Sequence, residues 1–222
     1  TQAYLIYDSI AKHFQHDAIL WSIFPTNDLM DDDPNFGKTI NGIKPCWSGK
    51  YPNYDLAFFP SDAPQEKPNK TWKRFLKSYT YTYNALFYLK QSMQLKSSQA
   101  KEFPLTGYFN YSSDQINRMI YSIQKLKKAS NGKPISIICI PSTLDLDPQT
   151  KRNQDNIELV LKQSCDSMNI HFIGLYDLFL AQENPIENYY FNCDSHWNPK
   201  GHQLVKDYVK DNGEIYRINS LN

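Results

Sequence analysis

The chain has 222 residues, enough to bury a substantial core as a single domain over residues 1–222. Its 24 Lys and Arg residues nearly balance its 23 Asp and Glu residues, so no strong field favours nucleic acid or an anionic membrane. No apolar run is long enough to cross a bilayer. Aromatic residues make up 14% of the chain, which favours surfaces that pack on sugars or acyl chains.

The N-terminal third predicts a helix, a buried strand and a long loop. Apolar residues at helical spacing indicate a helix over residues 3–14. Residues 17–24 are almost continuously apolar up to Pro25, as in a strand that is buried on both faces. The sequence from 29 to 71 is irregular and rich in aromatic residues, Trp47 among them. It predicts a loop insertion, in which the aromatic-rich residues 34–59 would close over a substrate.

The rest of the chain alternates helical and strand patterns. The spacing of apolar residues predicts helices over 72–96, 113–129 and 152–168, and short apolar runs predict strands over 134–140 and 170–175. Strands that alternate with amphipathic helices indicate a parallel sheet with helices on both faces. No repeat and no second-domain boundary is visible.

An acid and a histidine, Asp194 and His196, stand two residues apart just before a strong helix start. Asn198 is a favoured N-cap, and Pro199 suits the first helical position. A histidine held ahead of a helix, with a carboxylate beside it, is typical of the base in α/β hydrolytic sites. His196 would accept a proton from a hydroxyl nucleophile, and Asp194 would fix its tautomer. The alternative is a polar loop that contains both residues without a catalytic role.

Polar residues also follow the predicted strands where each one ends. In an open parallel sheet, the working residues lie beyond the carboxyl ends of the strands. Asn27 follows the first predicted strand, and the segment with Asp194 and His196 follows the third. An Asn amide at such a strand end can donate to an oxyanion, although Asn-Asp also makes a good turn. The predicted substrate contacts are Asp28, Trp47, Ser142 and Trp197.

Two short blocks resemble the SGNH (GDSL-type) hydrolase superfamily. Residues 17–28, DAILWSIFPTND, are similar to the family's block in which a strand closes on an oxyanion-hole Asn, and residues 193–205, CDSHWNPKGHQLV, to its block with the catalytic Asp and His. The resemblance implies a flavodoxin-like three-layer α/β/α sandwich and ester or O-acyl hydrolysis or transfer, with no cofactor. It assigns Asn27 as oxyanion donor, Asp194 as the acid and His196 as the base.

The spacing of acid and base departs from the family's frequent Asp-x-x-His. The shorter Asp194-Ser-His196-Trp197 resembles the DxHW of envelope-polysaccharide O-acetyltransferase relatives. This resemblance implies an acylated carbohydrate ester as substrate. It favours a location outside the cytoplasm, in the periplasm, the cell envelope or the medium, and a cytoplasmic location stays open as the alternative.

The family's Gly-Asp-Ser nucleophile block is absent from the 222 residues. Ser9 lies inside a predicted helix, Ser142 is more typical of a pocket lining or a turn cap, and Ser195 neighbours His196 in sequence, so we assign no nucleophile. We therefore expect the domain to be N-terminally incomplete by one βαβ segment. The strand over residues 18–24 would then be an open apolar edge, which the missing segment or a partner covers.

Other functions remain open at this stage. The main alternative is a catalytically inactive module that binds glycan or an envelope partner. A flavodoxin-like nucleotide-binding domain is disfavoured because no glycine-rich loop follows a predicted strand. The acidic run over residues 31–33 attracts cations but reads as a solvated loop, so we predict no metal. A disulfide between Cys46 and Cys193 would require an extracytoplasmic location.

Overall fold

The structure, a computed structural model, describes residues 1–34, 44–59, 79–82, 85, 89, 107–192 and 194–211, apart from the side chains of Phe59, Asp194 and Ser195. The chain divides into two compact units, one formed by Thr1–Ser61 with Thr106–Asn222 and the other by Asp62–Leu105. Most of the second unit, and with it most of the predicted 72–96 helix, lies outside the described residues. The single domain over residues 1–222 therefore stays a prediction.

The described elements of the first unit mix helices with strands. In chain order they are α1 (Gln2–Ser9), β1 (Ile19–Ile23), α2 (Pro25–Asp31), β2 (Lys44–Lys50), β3 (Asn53–Phe59), α3 (Ser113–Ala129), β4 (Ile135–Cys139), α4 (Thr143–Leu146), α5 (Ile157–Ser167), β5 (His171–Gly174), α6 (Tyr176–Leu180), α7 (Pro185–Tyr189), β6 (Tyr190–Phe191), β7 (Asp194–Trp197) and α8 (Pro199–Asp211).

A parallel sheet of order β1-β4-β5 lies at the centre of this unit. All five residues of the middle strand are buried, as its mostly apolar sequence predicts. The register pairs Ile19 with Ile135 and Ser136 with His171, so the three carboxyl ends lie at the same edge. The chain is thus of the mixed α/β class, with a small parallel sheet and helices, as the sequence predicts.

The helix α3 has the bounds that the apolar spacing predicts. Its N-terminus is a capping box: the Ser112 hydroxyl accepts from the Gln115 amide at 3.2 Å, and the Gln115 side chain accepts from the Ser112 amide at 2.9 Å. Its C-terminus is followed by Asn131 and Gly132, both with positive φ. Its apolar face is buried in the core, so the capping residues and the apolar spacing predict the same helix that the packing stabilises. The buried apolar residues of α3 are Ile116, Met119, Ile123 and Leu126.

Part of the predicted aromatic loop is a β-hairpin. Strands β2 and β3 pair antiparallel from Lys44↔Phe59 to Lys50↔Asn53. Trp47 and Tyr54 are buried in this hairpin. The ring of Tyr121, on α3, packs edge-on against the rings of both. The expectation of irregular chain over 29–71 is therefore wrong for residues 44–59, because packing on a distant helix stabilises these strands.

The acidic run over residues 31–33, at the end of α2, is paired rather than solvated. Asp32 is only 5% exposed, and each of the three carboxylates contacts a different donor. In the described part of the chain, no group of three or more His, Cys, Asp and Glu residues is arranged to hold a metal ion. The contacts are Asp31 with Lys44, Asp32 with the Thr1 amine, and Asp33 with Gln115 at 3.2 Å and Arg118 at 3.9 Å.

Among the described residues, no helix is long and apolar enough to span a membrane. Cys46, Cys139 and Cys165 are buried free thiols, and Cys193 lies outside the described residues. Burial raises the pKa of Cys46 to about 11 and that of Cys165 to about 12. These two thiols therefore stay protonated near neutral pH and are poor nucleophiles.

Candidate active site at the carboxyl edge of the sheet

His196 lies in a short hairpin rather than in the predicted loop. Strands β6 and β7 pair antiparallel through Tyr190↔Trp197 and Phe191↔Asp194, and the register shifts between these two pairs. His196 falls in the irregular part of β7, and its side chain is exposed. Bulges of this kind are frequent beside active sites, where they re-aim a side chain. This position makes His196 accessible to a ligand.

A buried hydrogen bond attaches this hairpin to the sheet. Tyr190 is 2% exposed, and its hydroxyl donates to the carbonyl oxygen of Pro141 at 2.9 Å. Burial raises the pKa of Tyr190, so the hydroxyl keeps its proton and remains a donor. Pro141 follows β4 after one intervening residue. The hairpin is thereby held at the carboxyl end of the middle strand.

The residues that follow β7 start a helix as predicted. The Asn198 side-chain oxygen accepts from the Lys200 amide at 2.9 Å and from the Gly201 amide at 3.1 Å, which is N-cap geometry. Trp197 is half-buried, and its ring stacks on Phe179 with a centroid distance of 5.5 Å and an interplanar angle of 26°. This packing favours a structural role for Trp197 over the predicted substrate contact.

Asn27 and Asp28 lie in the first part of α2, a helix that begins directly after β1. The Asn27 side chain is exposed. The Asp28 carboxylate accepts from the Phe24 amide at 2.7 Å, and burial, assisted by the neighbouring Asp32, raises its pKa to about 6. Asp28 thus binds the end of its own strand, which favours a structural role over substrate contact. Asn27 keeps its amide available at this edge.

Ser142 is buried and bonded at the carboxyl end of β4. Its hydroxyl donates to Asp145 Oδ2 at 2.6 Å, and its amide donates to the same oxygen at 2.7 Å. The other carboxylate oxygen of Asp145 accepts from the Tyr108 amide at 3.1 Å. Ser142 is therefore the N-cap of α4 in a capping box, not an accessible substrate contact. The Ser-x-x-Asp spacing is the sequence signal that identifies such a box.

Gly107 lies close to residues that follow β1 and β4. A Cβ on this glycine would lie 2.7 Å from Asp145 Oδ1 and 3.5 Å from Thr26 Oγ1. Thr26 precedes Asn27, and Asp145 bonds to Ser142, which follows Pro141. The chain around Asn27 and the chain around His196 therefore lie at the same edge of the sheet, each close to the segment that follows β4.

Sequence reasoning missed a buried carboxylate, that of Glu158, which lies at the carboxyl end of β5. Glu158 Oε1 accepts from the Tyr108 hydroxyl at 2.9 Å and from the Tyr176 amide at 3.1 Å. Burial raises the pKa of Glu158 to about 6. A Cβ on Gly174 would lie 2.2 Å from the other carboxylate oxygen, so a side chain at this position would displace the Glu158 carboxylate. No motif in the sequence identifies this cluster, since its members are far apart in the chain.

Trp47, predicted as a substrate contact in a lid, lies inside the first unit. It is 5% exposed, and its indole Nε1 donates to Ser122 Oγ at 2.8 Å. The ring also packs against Tyr4, with a centroid distance of 5.9 Å. A buried indole whose N–H is already bonded offers little surface to a ligand, which favours a structural role for Trp47 over the predicted substrate contact.

A scan against protein-family models gives no match, and searches of the curated proteins and of the solved structures give no significant match either. The functional assignment therefore depends on the residues and their geometry.

Proposed function

We propose that this chain is an SGNH-like hydrolase domain that cleaves or transfers ester-linked acyl groups. The parallel order β1-β4-β5 and the helices between these strands are compatible with a flavodoxin-like three-layer sandwich. The resemblance of residues 17–28 and 193–205 to two blocks of the superfamily supports the assignment of activity. The observation that carries it is the bond from Tyr190 to Pro141, which attaches the histidine hairpin to the edge where Asn27 lies.

In this proposal each residue has a separate task. His196 accepts the proton of a hydroxyl nucleophile as that oxygen attacks the ester carbonyl, and it returns the proton to the leaving alcohol. Asp194 orients the imidazole and stabilises its protonated form. The Asn27 amide donates to the oxyanion that develops on the carbonyl oxygen. No serine of the described residues is assigned as the nucleophile.

The proposed substrate is an acylated carbohydrate. The support is the resemblance of Asp194-Ser-His196-Trp197 to the DxHW of envelope O-acetyltransferase relatives, and the aromatic content of the chain. The same resemblance places the protein outside the cytoplasm in this proposal. Neither a metal ion nor a cofactor enters the proposed reaction.

The test of this proposal is the contribution of Asn27 to turnover. The substrates are p-nitrophenyl acetate and an O-acetylated oligosaccharide. Asn27→Ala should lower kcat about 10²–10³-fold with little change in KM, because an oxyanion donor acts mainly in the transition state. Asn53→Ala, at another exposed asparagine, is the control and should leave kcat unchanged. Equal kcat in the two variants would remove Asn27 from the site.

A catalytically inactive, glycan-binding module is the second candidate. The specific observation in its favour is that Ser142, the serine at the carboxyl end of β4, is buried and closed in a capping box. Calorimetric titration with acetylated and deacetylated oligosaccharides separates the two candidates. Saturable binding without any turnover supports the binding module, and turnover supports the hydrolase.

A further inference from the structure

Arg152 places a positive charge on an aromatic surface. The central carbon of its guanidinium lies 4.5 Å from the ring centroid of Phe109 and 5.9 Å from that of Tyr176. Its Nη2 donates to the Tyr176 hydroxyl at 2.8 Å. The ring quadrupole attracts a cation in this position, and the hydrogen bond orients it. The guanidinium is therefore held in one place, although the residue as a whole is exposed.

Buried hydrogen bonds fix the aromatic surface beneath Arg152. The Tyr176 amide donates to Glu158 Oε1 at 3.1 Å, and the Tyr108 hydroxyl donates to the same oxygen at 2.9 Å. Tyr108 precedes Phe109 in the chain, so the same carboxylate holds both sides of the surface. Phe109 and Tyr176 are themselves buried. A cation on a rigid support loses little freedom when it binds a ligand, which favours recognition.

The loop that carries Arg152 is bonded to the same segment on both sides of the arginine. After it, the Asn153 amide donates to the Phe109 carbonyl oxygen at 3.2 Å. Before it, the Lys151 carbonyl oxygen accepts from Asn110 Nδ2 at 3.0 Å. The backbone of Arg152 is therefore fixed as well as its side chain. This loop presents the guanidinium in a defined position rather than as one of many surface conformers.

The charge of Arg152 has no acidic partner within the part of the chain that the structure describes. None of the ion pairs there includes this guanidinium. A guanidinium carries five N–H donors, and Tyr176 accepts one of them. The planar fork of the others matches a carboxylate, which it binds through two parallel hydrogen bonds. An exposed, fixed arginine of this kind is suited to bind a carboxylate from a ligand.

Arg152 lies at the same edge of the sheet as His196. Tyr176, which accepts from Arg152, begins α6 just after the carboxyl end of β5. Phe179, one helical turn later on α6, stacks on Trp197, the residue that follows His196. The short helix α6 thus contacts the arginine on one side and the histidine hairpin on the other. A substrate whose ester reaches His196 can extend across α6 to Arg152.

We infer that Arg152 is a specificity-determining residue that binds a carboxylate of the substrate. The inference rests on the proposed function, because it names a charge that the acylated carbohydrate carries beside its ester. The carboxylate belongs either to a uronic acid sugar or to a dicarboxylic acyl group such as succinyl, and both present the same planar pair of oxygens. Arg152 takes no part in proton transfer, so its removal acts on substrate affinity.

Calorimetric titration tests the inference, with His196→Ala in every sample so that the esters stay intact. The acidic probes are O-acetylated hexagalacturonate and O-succinylated xylohexaose, and O-acetylated xylohexaose is the neutral probe. At least one acidic probe should bind at least about 10-fold more tightly than the neutral probe. Arg152→Gln should abolish this preference, and Arg152→Lys, which keeps the charge but loses the fork, should retain only part of it. The preferred probe identifies the source of the carboxylate.

The control is Lys151→Gln, which removes the same charge from the neighbouring exposed residue and should leave the preference unchanged. Three results overturn the inference. They are equal or undetectable binding of acidic and neutral probes, a preference that survives Arg152→Gln, and a preference that Lys151→Gln also abolishes. An equal loss of affinity for acidic and neutral probes in Arg152→Gln, with a lowered Tm, assigns the arginine a structural role and also overturns it.

Turnover of the same probes by the protein with His196 intact separates this inference from the proposed hydrolase function. Binding of an acidic probe that depends on Arg152, without turnover of any ester, refutes the hydrolase and retains the carboxylate site as that of a binding module. Turnover of the neutral ester with a kcat/KM equal to that of both acidic esters retains the hydrolase and overturns the carboxylate site. If both hold, Arg152→Gln should raise KM for the preferred acidic ester at least about 10-fold.

Discussion

The hydroxyl of Tyr190 donates to the carbonyl oxygen of Pro141 at 2.9 Å, and both residues stand at the carboxyl end of the sheet. Tyr190 opens the hairpin that carries His196, and Pro141 follows the middle strand. This bond, with the stacking of Trp197 on Phe179, holds a two-stranded hairpin that is too short to be stable alone. The position of the histidine thus depends on a tyrosine that sequence reasoning did not single out.

Removal of that hydroxyl should loosen the hairpin. Tyr190→Phe leaves the Pro141 carbonyl without its donor, so we expect a loss of about 1–3 kcal/mol in the free energy of unfolding, measured by urea denaturation. Turnover should fall as well, because His196 is less well positioned. Tyr189→Phe, whose hydroxyl donates to Gln182 in a half-buried setting, should cost less than about 1 kcal/mol. A Tyr190→Phe variant as stable as the wild type would contradict the anchoring role.

Ser142 should behave as a helix cap. Ser142→Ala removes the acceptor for the Asp145 amide and the donor to its carboxylate, so unfolding should become about 0.5–2 kcal/mol easier. Turnover measured well below the melting temperature should change less than about twofold, since the buried hydroxyl does not touch substrate. Loss of turnover in a stably folded Ser142→Ala protein would reassign this serine to the catalytic machinery.

The stability of the protein should depend on pH through Glu158. Its folded pKa of about 6 lies above its ordinary value of 4.5 because burial disfavours the charge. A raised carboxyl pKa contributes stability that is fully present below about pH 4.5 and is lost as the pH rises through 6. Between pH 4 and 8 this loss should amount to about 2 kcal/mol. Asp28, with a pKa of about 6, acts in the same direction.

Glu158→Gln isolates that contribution. The amide oxygen can still accept from the Tyr108 hydroxyl and the Tyr176 amide, but the side chain no longer titrates. The variant should therefore lose about 2 kcal/mol less than the wild type between pH 4 and 8 in urea titrations. Glu183→Gln, at an exposed glutamate, is the control and should follow the wild type. Identical pH profiles for all three proteins would show that burial does not perturb Glu158.

Trp47 should prove structural. Trp47→Phe removes the indole N–H that donates to Ser122 Oγ and leaves a gap beside Tyr121, so we expect a destabilisation of about 1–3 kcal/mol by urea denaturation. KM for an acylated oligosaccharide should not change, because the indole is buried away from solvent. A raised KM with unchanged stability would restore Trp47 to the binding surface.

Short-range sequence patterns were sufficient to predict two strands of the parallel sheet, β1 and β4, and the helix α3. β1 and β4 are short apolar runs that end at proline or polar residues, and the apolar spacing and capping residues of α3 agree with its packed face. For such elements the information lies within ten or fifteen neighbouring residues. The start of α8 at Asn198 and Pro199 was predictable for the same reason.

Long-range packing decided what the sequence did not reveal. The β2–β3 hairpin is stabilised by Trp47 against α3, and the β6–β7 hairpin by Tyr190 against Pro141, so neither has a strong local pattern. The polar residues after the strands were expected to face a ligand, but Asp28 and Ser142 instead bond to their own chain. From sequence alone, a polar residue at a strand end is equally suited to contact a ligand and to bond to its own chain. Only the structure distinguishes these two roles.

The most direct test of the central claim is ester turnover by the protein, with His196→Ala compared against His13→Ala. Both histidines are exposed, but His13 lies before β1, at the opposite edge from the candidate site. Removal of a general base should lower kcat at least about 10²-fold in His196→Ala, with an unchanged Tm and unchanged kcat in His13→Ala. Wild-type turnover in the His196→Ala protein would contradict the assignment of this edge as an active site.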